Sequence, residues 1–338
     1  MLLLTALAGN RTRLFIATSL LVFMGISVLR GAVGTDTANY ELIVDGFSVD
    51  YIWAGMEPGF VVLSKLLLSV ANTGFAAVRL ISLIIFIMLF IYLARSDKNE
   101  RFLLGAYFLP AFVYQYSMNG LRIGLAAMLL LLATQNIRQL RRKSGSALAV
   151  AALFFHYSSL VSLLFIWVSQ SRWLKASNVL VIPALICMLL ILLSLNGDYF
   201  IAKLMSYQDS ESPSAFSGLS KVAVLLLLVL ALFFSKLPSP EKAKLIVLGA
   251  GFTISFWLVS SVSYAGLRFL DLISFAFPVA ILLTYGRLEL NFDKVLKLAF
   301  VVAGILSVLS GYRSFVSETG IGPSPFLPYF FANSFGGD

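Results

Sequence analysis

The side chains that could do chemistry are few in this sequence, and they lie in or beside strongly apolar runs. Arg122 follows Asn119 at the start of one such run, and the only histidine of the chain, His156, lies inside another. A charged side chain within a bilayer costs roughly 2.5–3.5 kcal/mol on insertion scales, so it usually faces a protein interior or a water-filled cavity. The other segments of the chain are therefore expected to enclose a cavity around these residues.

Further candidates flank the apolar runs. Asp36 and Glu57 belong to residues 31–57, which contain five carboxylates and no Lys or Arg, and Arg268 follows Tyr264 just before another apolar run. Arginine binds phosphate through paired hydrogen bonds and stays charged, and a carboxylate can accept a proton from a hydroxyl. These residue types suit a substrate that carries a phosphate or pyrophosphate and a sugar hydroxyl, and they are equally typical of an anion transporter.

The composition predicts a membrane protein. Of the 338 residues, 59% are hydrophobic and only 12% are charged, and the mean hydropathy is +0.93. Apolar runs of spanning length, about 20 residues, recur along the chain, and runs such as AVLLLLVLALFF lack the alternation of a β-barrel. We expect one all-α, polytopic domain over residues 1–338, with about 9–11 transmembrane or re-entrant helices around a cavity that faces the periplasm.

The charge of +9 indicates basic residues at cytoplasmic helix ends rather than nucleic-acid binding. One cysteine, Cys187, and one histidine make a disulfide or a metal site unexpected. No phosphate-binding loop is present, so neither ATP nor another cofactor is expected.

The same charge rule gives a topology. Basic residues precede a first span at about 14–29, which places its start in the cytoplasm. We interpret the short apolar segment at 60–71 as an interfacial or re-entrant helix. Residues 117–120 (SMNG) are predicted to form a tight turn at the outer surface. The further predicted spans are 76–94, 102–116, 121–134, 179–195, 222–234, 245–262, 269–285 and 295–310. The predicted outside segments are about 31–75, 196–221, 263–268 and the tail 311–338.

Residues 146–168 allow two interpretations. A single span would place every later basic cluster outside, whereas a hairpin that turns near residues 155–159 would keep them inside. Non-helical backbone at membrane depth is tolerated only where it is packed in protein or lines a cavity. We favour the hairpin, which places His156 at its tip.

The order of the short motifs resembles that of the EpsG-type family of bacterial polysaccharide polymerases, relatives of the Wzy O-antigen polymerases. The similarity extends from about residue 34 to residue 329. The matching features are GTD at 34–36 with Tyr40, EPGF at 57–60, NGLRIGLA at 119–126, FHYSSL at 155–160, Arg268-Phe269 after Tyr264, and Pro328-Tyr329.

The resemblance implies an inner-membrane glycosyltransferase that joins oligosaccharide repeat units carried on undecaprenyl pyrophosphate, for O-antigen, capsule or exopolysaccharide. Transfer would invert the anomeric centre, with the lipid pyrophosphate as leaving group and no metal. A flippase and a chain-length regulator would be its partners. The implied roles are Arg122, Arg268 and Asn119 for pyrophosphate, Asp36 or Glu57 as general base with His156 as the alternative, and Tyr40, Tyr264 and Tyr329 for sugar.

Each candidate also has a structural interpretation. Arg122 and Arg268 could extend to lipid headgroups, His156 could be a packing residue, and Asp36 and Glu57 could be cap or turn residues. Two rival functions stay open: a flippase or other transporter of lipid-linked oligosaccharide, and an O-antigen ligase.

Overall fold

A computed structural model describes residues 1–7, 12–48, 56–171, 218–261, 263–316, 324 and 326–332. The predicted span 179–195 and most of the segment 196–221 lie outside these ranges. In chain order the helices are α1 (Leu2–Leu7), α2 (Arg13–Val28), α3 (Thr37–Gly46), α4 (Pro58–Ala71), α5 (Gly74–Arg95), α6 (Lys98–Leu103), α7 (Leu109–Tyr114), α8 (Leu121–Arg138), α9 (Arg142–Phe155), α10 (Ser159–Gln170), α11 (Leu219–Phe233), α12 (Ser239–Ser260), α13 (Tyr264–Arg287) and α14 (Lys294–Val316).

The predicted all-α, polytopic membrane class is confirmed. Within the described residues, five helices are long and apolar enough to cross a membrane, namely α5, α8, α12, α13 and the Lys294–Tyr312 part of α14. Shorter apolar helices, among them α2, α10 and α11, pack beside them. The predicted spans in these regions differ from the observed helices by a few residues at their ends.

The helices form a bundle with two chemically different ends. Arg138, at the end of α8, pairs with Asp97 and with Glu100, and its guanidinium lies against Gly286 near the end of α13. Arg13, at the start of α2, donates to the Ser96 carbonyl nearby. We call this the basic end, and it holds Arg13, Arg95, Arg138, Arg142 and Arg287. The other ends of α2 and α8 carry Arg30 and Arg122, and we call this the opposite end.

Helices α9 and α10 form a hairpin that leaves the basic end and returns to it. Ser162 Oγ donates to the Leu272 carbonyl and Gln170 Nε2 to the Ala280 carbonyl, so α10 runs parallel to α13. Arg287 Nη1 donates to the Gln170 carbonyl at 3.0 Å, which fixes the last turn of α10 at the basic end. The hairpin interpretation of residues 146–168 is therefore confirmed, and the single-span interpretation is wrong.

The connection 31–75 contains two helices, α3 and α4. Tyr40 and Val44 of α3 lie one turn apart and are buried in the core, so this helix packs on the bundle. On α4, Val62, Leu66 and Val70 form an apolar stripe that is 61%, 63% and 74% exposed. An exposed apolar stripe on a 14-residue helix is typical of a helix at the membrane surface, in agreement with the interfacial interpretation of 60–71.

The prediction of a tight turn over residues 117–120 is wrong. Helices α6 and α7 are joined and extended by π-helical turns at Leu104–Phe108 and Gln115–Asn119, and the chain breaks only at Gly120. The Gly120 N–H donates to the Gln115 carbonyl at 2.7 Å, which closes the last π-helical turn. Ser, Asn and Gly favour turns locally, but here the helix continues because tertiary partners hold its last carbonyls.

Candidate active site

Three residues that are distant in sequence meet at the opposite end of the bundle. Glu57 Oε2 accepts a hydrogen bond from Arg122 Nη1 at 2.7 Å. Glu57 Oε1 lies 3.1 Å from His156 Nδ1 and accepts from the Tyr157 N–H at 3.4 Å. Glu57 is 2% exposed, whereas the Arg122 and His156 side chains are 17% and 19% exposed. One buried carboxylate therefore fixes both a cation and an imidazole, and we call these three residues the Glu57 cluster.

The start of α4 places Glu57 against the hairpin. Glu57 has extended backbone at the N-cap position, and Pro58 follows at the first helical position, where proline is favoured because its missing N–H is not needed. A Cβ atom on Gly59 would lie only 2.8 Å from the Phe154 carbonyl oxygen of α9. Because only glycine fits there, the first turn of α4 contacts the end of α9 and brings Glu57 to His156.

Arg122 is held by the segment that precedes it. It is the second residue of α8, directly after the break at Gly120. The buried Arg30 guanidinium lies 3.4 Å from each of the Ser117 and Met118 carbonyls, as a hydrogen-bond donor to both. These contacts anchor the π-helical turn that ends at Asn119, and so they set where α8 begins.

His156 lies in the turn between α9 and α10, and its backbone is bonded on both sides. Its N–H donates to the Ala152 carbonyl at 3.1 Å, and its carbonyl accepts from Ser159 Oγ at 2.6 Å. The extended conformation at His156 ends α9 and turns the ring toward Glu57. The predicted position of His156 at the hairpin tip is confirmed.

The Glu57 carboxylate is ionised at neutral pH. Burial alone would raise its pKa, but the hydrogen bond from His156 and the positive charge of Arg122 outweigh burial and lower the pKa from 4.5 to about 2. Such a carboxylate is a weak proton acceptor. It is better suited to hold His156 in the tautomer with a proton on Nδ1, which leaves Nε2 as the basic nitrogen.

The structure does not bring Arg268 to the Glu57 cluster through a direct contact. Arg268, in the second turn of α13, is exposed, and Tyr264, the first residue of that helix, is 38% exposed. Ser162 is bonded to Leu272 and the two helices are parallel. Arg268 therefore lies at about the level of the hairpin turn.

The remaining predicted site residues lie beside or within the core. Asp36 takes the N-cap position of α3 without a side-chain capping bond and is half-buried. Tyr40 is 7% exposed and packs edge-on against Phe60. Tyr329 donates to the Ile26 carbonyl, which attaches the tail to the end of α2.

Two buried arginines at this end were not identified from the sequence. Arg30 is fully buried, and Arg79 is 1% exposed and pairs with Glu41 of α3. Arg79 also donates to the carbonyls of Arg30 and Gly31, which links α3 and α5 to the end of α2. Arg79, like Arg122, lies in an apolar run, where a charged side chain is costly. The argument that identified Arg122 from the sequence could therefore also have identified Arg79.

The described residues contain no group of three or more His, Cys, Asp and Glu side chains that could hold a metal ion. The described site therefore consists of a fixed guanidinium, Arg122, beside the pair formed by the His156 imidazole and the Glu57 carboxylate.

A family model, described as the EpsG family, matches residues 13–331. The chain belongs to the EpsG family. The matched range contains the whole Glu57 cluster, and family membership indicates an enzyme of the polysaccharide-polymerase type. Among curated proteins and solved structures no match is found.

Adding a single methyl group at Gly59 is expected to destabilise this member of the EpsG family. In Gly59→Ala the new Cβ would lie 2.8 Å from the Phe154 carbonyl oxygen and 3.0 Å from the carbonyl carbon, both backbone atoms. Overpacking of this kind costs typically about 1–3 kcal/mol. We expect a lower thermal unfolding midpoint of the purified protein in detergent.

Gly251→Ala is the matched control for Gly59→Ala. Gly251 lies within α12, and a methyl group added there would meet no neighbouring side chain or other helix within 4 Å. An alanine there should be neutral or slightly stabilising, because alanine is the better helix former. Equal midpoints for the two variants would contradict a tight contact between α4 and α9.

Proposed function

We propose that this chain is a glycosyltransferase that joins lipid-linked oligosaccharide repeat units. The donor is a growing chain on undecaprenyl pyrophosphate, and the acceptor is a hydroxyl of the next lipid-linked unit. The observation that carries this function is the Glu57 cluster, in which one buried carboxylate holds Arg122 and His156 side by side. Membership of the EpsG family supports the polymerase class.

Arg122 stabilises the departing pyrophosphate. As the acceptor oxygen attacks the anomeric carbon, the bond from that carbon to the pyrophosphate oxygen breaks and the oxygen leaves with the electron pair. Negative charge grows on the leaving group, and a fixed guanidinium stabilises it most strongly where little rearrangement is needed. The ion pair with Glu57 at 2.7 Å provides this fixation.

His156 accepts the proton of the attacking hydroxyl. Sequence reasoning favoured Asp36 or Glu57 as the base, with His156 as the alternative. Since the pKa of Glu57 is lowered to about 2, we assign the proton to His156 Nε2 and treat Glu57 as the positioning residue. Asp36 at the start of α3 stays a candidate second carboxylate. Attack from the face opposite the pyrophosphate inverts the anomeric centre.

Arg268 and Tyr264 belong to the same proposed site as further substrate contacts. Both are accessible at the start of α13, and Arg268 is level with the hairpin turn. We place the opposite end outside the bacterial inner membrane, because the basic end carries the clustered arginines that normally stay in the cytoplasm. A flippase that delivers units and a chain-length regulator are the expected partners.

The proposed function is tested with purified protein and lipid-linked repeat units in detergent micelles. A polymerase forms a ladder of longer chains without any membrane barrier, whereas a transporter forms none because transport needs two compartments. In a parallel reaction to which lipid A-core is added, product that contains only units joined to lipid A-core would indicate a ligase. An absence of longer chains from a monodisperse, folded preparation would overturn the proposal.

A further inference from the structure

The turn between α8 and α9, at the basic end, carries a leucine in an unfavourable backbone conformation. Leu140 has a φ of 62°, in the left-handed region where glycine is the usual residue after a helix. Its N–H donates to the Ile137 carbonyl, and the N–H of Arg141 donates to the Asn136 carbonyl. These two bonds form the Schellman pattern, which requires a left-handed residue at this position. Because the Cβ atom of a leucine is strained there, Leu140 lowers the stability of the turn.

Packing within the protein does not account for this leucine. Its side chain is 81% exposed, the highest value for a large hydrophobic residue in the part of the chain that the structure describes. The turn around it is rigid, since Asn136 Nδ2 donates to Ser144 Oγ at 3.0 Å. A Cβ atom on Gly145 would lie 2.6 Å from Ile137 Cγ1, so α9 packs closely on α8. A strained, exposed residue in a rigid turn points to a contact outside the chain.

Three consecutive cations follow the leucine. Arg141, Arg142 and Lys143 are all exposed, and none of them forms an ion pair with a residue that the structure describes. The first turn of α9 contains no acidic residue that could neutralise them. Arg138 differs from these three, because it is only 13% exposed and pairs with two carboxylates. Three adjacent, uncompensated positive charges favour a partner with negative charge.

The turn lies at the perimeter of the bundle. Lys143, Ala147, Val150 and Phe154 recur at helical spacing on α9 and are all exposed. The last three are apolar, so this face of α9 is suited to contact with lipid acyl chains, and it ends at Lys143. An apolar helix face that ends in a cation is typical of the boundary between acyl chains and headgroups. The cations of the turn are therefore placed at the level of the lipid headgroups.

We propose that the α8–α9 turn, residues 139–143, binds the headgroup of an anionic phospholipid in the leaflet at the basic end. Arg141, Arg142 and Lys143 contact the phosphate, which arginine binds through paired hydrogen bonds. Leu140 packs on the adjoining apolar part of the lipid, which offsets the cost of its backbone conformation. A zwitterionic headgroup would add a fourth cation to the three, so the turn selects net negative charge. The site lies at the other end of the bundle from the Glu57 cluster, so its lipid binding is independent of the reaction proposed there.

The test is an equilibrium titration of the full-length protein in neutral detergent with fluorescent phosphatidylglycerol. Fluorescent phosphatidylcholine, which carries no net charge, is titrated in parallel. We expect the wild type to bind the anionic lipid at least about tenfold more tightly, with a preference that decreases as salt is added. Each basic residue near an anionic lipid surface strengthens binding about fivefold. The triple variant Arg141→Gln/Arg142→Gln/Lys143→Gln should therefore lose the preference.

Leu140→Gly separates the contribution of the leucine from that of the cations. Glycine takes the left-handed conformation without strain, so the unfolding midpoint in lipid-free detergent should equal or exceed that of the wild type. Affinity for phosphatidylglycerol should fall about threefold or more, because the variant loses an apolar contact with the lipid. A residue with a purely structural role would not give a stable variant with weaker lipid binding.

The matched control is Arg95→Gln/Lys98→Gln/Lys294→Gln, which removes three exposed cations from other helices of the basic end. It should keep the preference for phosphatidylglycerol, and gel filtration verifies that every variant is folded. An equal loss in this control would overturn the proposal, because net charge alone would then explain the binding. Equal binding of both lipids by the wild type would also overturn it, as expected if an acidic protein docks on the turn instead.

Two further results would contradict a lipid site at this turn. The first is a lower unfolding midpoint of Leu140→Gly with unchanged lipid affinity, which would make Leu140 a packing residue. The second is displacement of phosphatidylglycerol by inorganic phosphate at the same concentration, which would indicate an anion site that makes no use of the apolar part of the lipid.

Discussion

Replacing Glu57 with glutamine is expected to stop chain extension while leaving folded protein in the membrane. The carboxylate binds Arg122 through one oxygen and faces His156 with the other. The glutamine amide has nearly the same shape but no charge, so it does not neutralise Arg122. It also has only one acceptor oxygen, so it cannot accept hydrogen bonds from both Arg122 and His156 as the two carboxylate oxygens do. General acid–base catalysis contributes typically about 10²–10⁴-fold to a rate, and we expect much of that contribution to be lost when His156 loses the carboxylate that orients it. The measurement is the rate of ladder formation by purified protein.

Glu241→Gln is the matched control, because it removes a carboxylate from an arginine pair at 2.7 Å that lies at the basic end. It should extend chains at the wild-type rate. Arg122→Ala should be as inactive as Glu57→Gln, and Arg122→Lys should recover part of the rate at most, since a lysine lacks the planar fork. Polymer of normal length from both Arg122 variants would refute the role assigned to Arg122, and full activity of Glu57→Gln would refute the positioning role of Glu57.

Replacing Arg30 is expected to have the largest effect on stability. Its guanidinium is fully buried and donates to Ser82 Oγ and to the carbonyls of Ser27, Ser117 and Met118. Arg30→Met keeps most of the length but removes the hydrogen bonds that the charged guanidinium donates, each worth roughly 1.5–3 kcal/mol. The Ser117 and Met118 carbonyls keep Ser82 Oγ and Thr37 Oγ1 as other donors. We expect a loss of about 3 kcal/mol or more in the free energy of unfolding, measured by denaturant titration in detergent.

Arg142→Met is the control for this variant. Arg142 is exposed at the start of α9, and exposed substitutions of this kind usually change stability by less than about 0.5 kcal/mol. Arg30→Met should also slow chain extension, because the carbonyls it releases belong to the turn that sets the start of α8. A stability equal to that of the control would show that water replaces Arg30 as the donor.

The residue types of the site could be predicted from the sequence, but not their pairing. Arg122 and His156 stood out because ionisable groups are costly in apolar runs, and Glu57 because it ended an acidic segment. That Glu57 lies between the other two depends on the contact of α4 with α9, which brings together residues 65 and 99 positions apart. The proposed change of proton acceptor from Glu57 to His156 rests on the contacts of Glu57 with both His156 and Arg122.

The topology was predictable where charge decided it. Counting basic residues on each side favoured the α9–α10 hairpin, and the hydrogen bonds of Gln170 confirm it. Local preference was misleading at residues 117–119, which favour a turn but are π-helical, with the Ser117 and Met118 carbonyls bound by Arg30. Helix α3 was missed because its burial is visible only after it packs beside α5.

The α9–α10 hairpin can reach its final packing during synthesis only after α13 has been made. Its arms have 14 and 12 residues, about 21 and 18 Å of helix, too short to cross a bilayer of about 30 Å separately. The turn at His156 needs protein around it, because free backbone groups are not tolerated in lipid. Its partners Leu272 and Ala280 lie on α13, about a hundred residues later. A nascent chain that ends before α13 thus already contains Glu57, Arg122 and His156, but lacks the helix against which α10 packs.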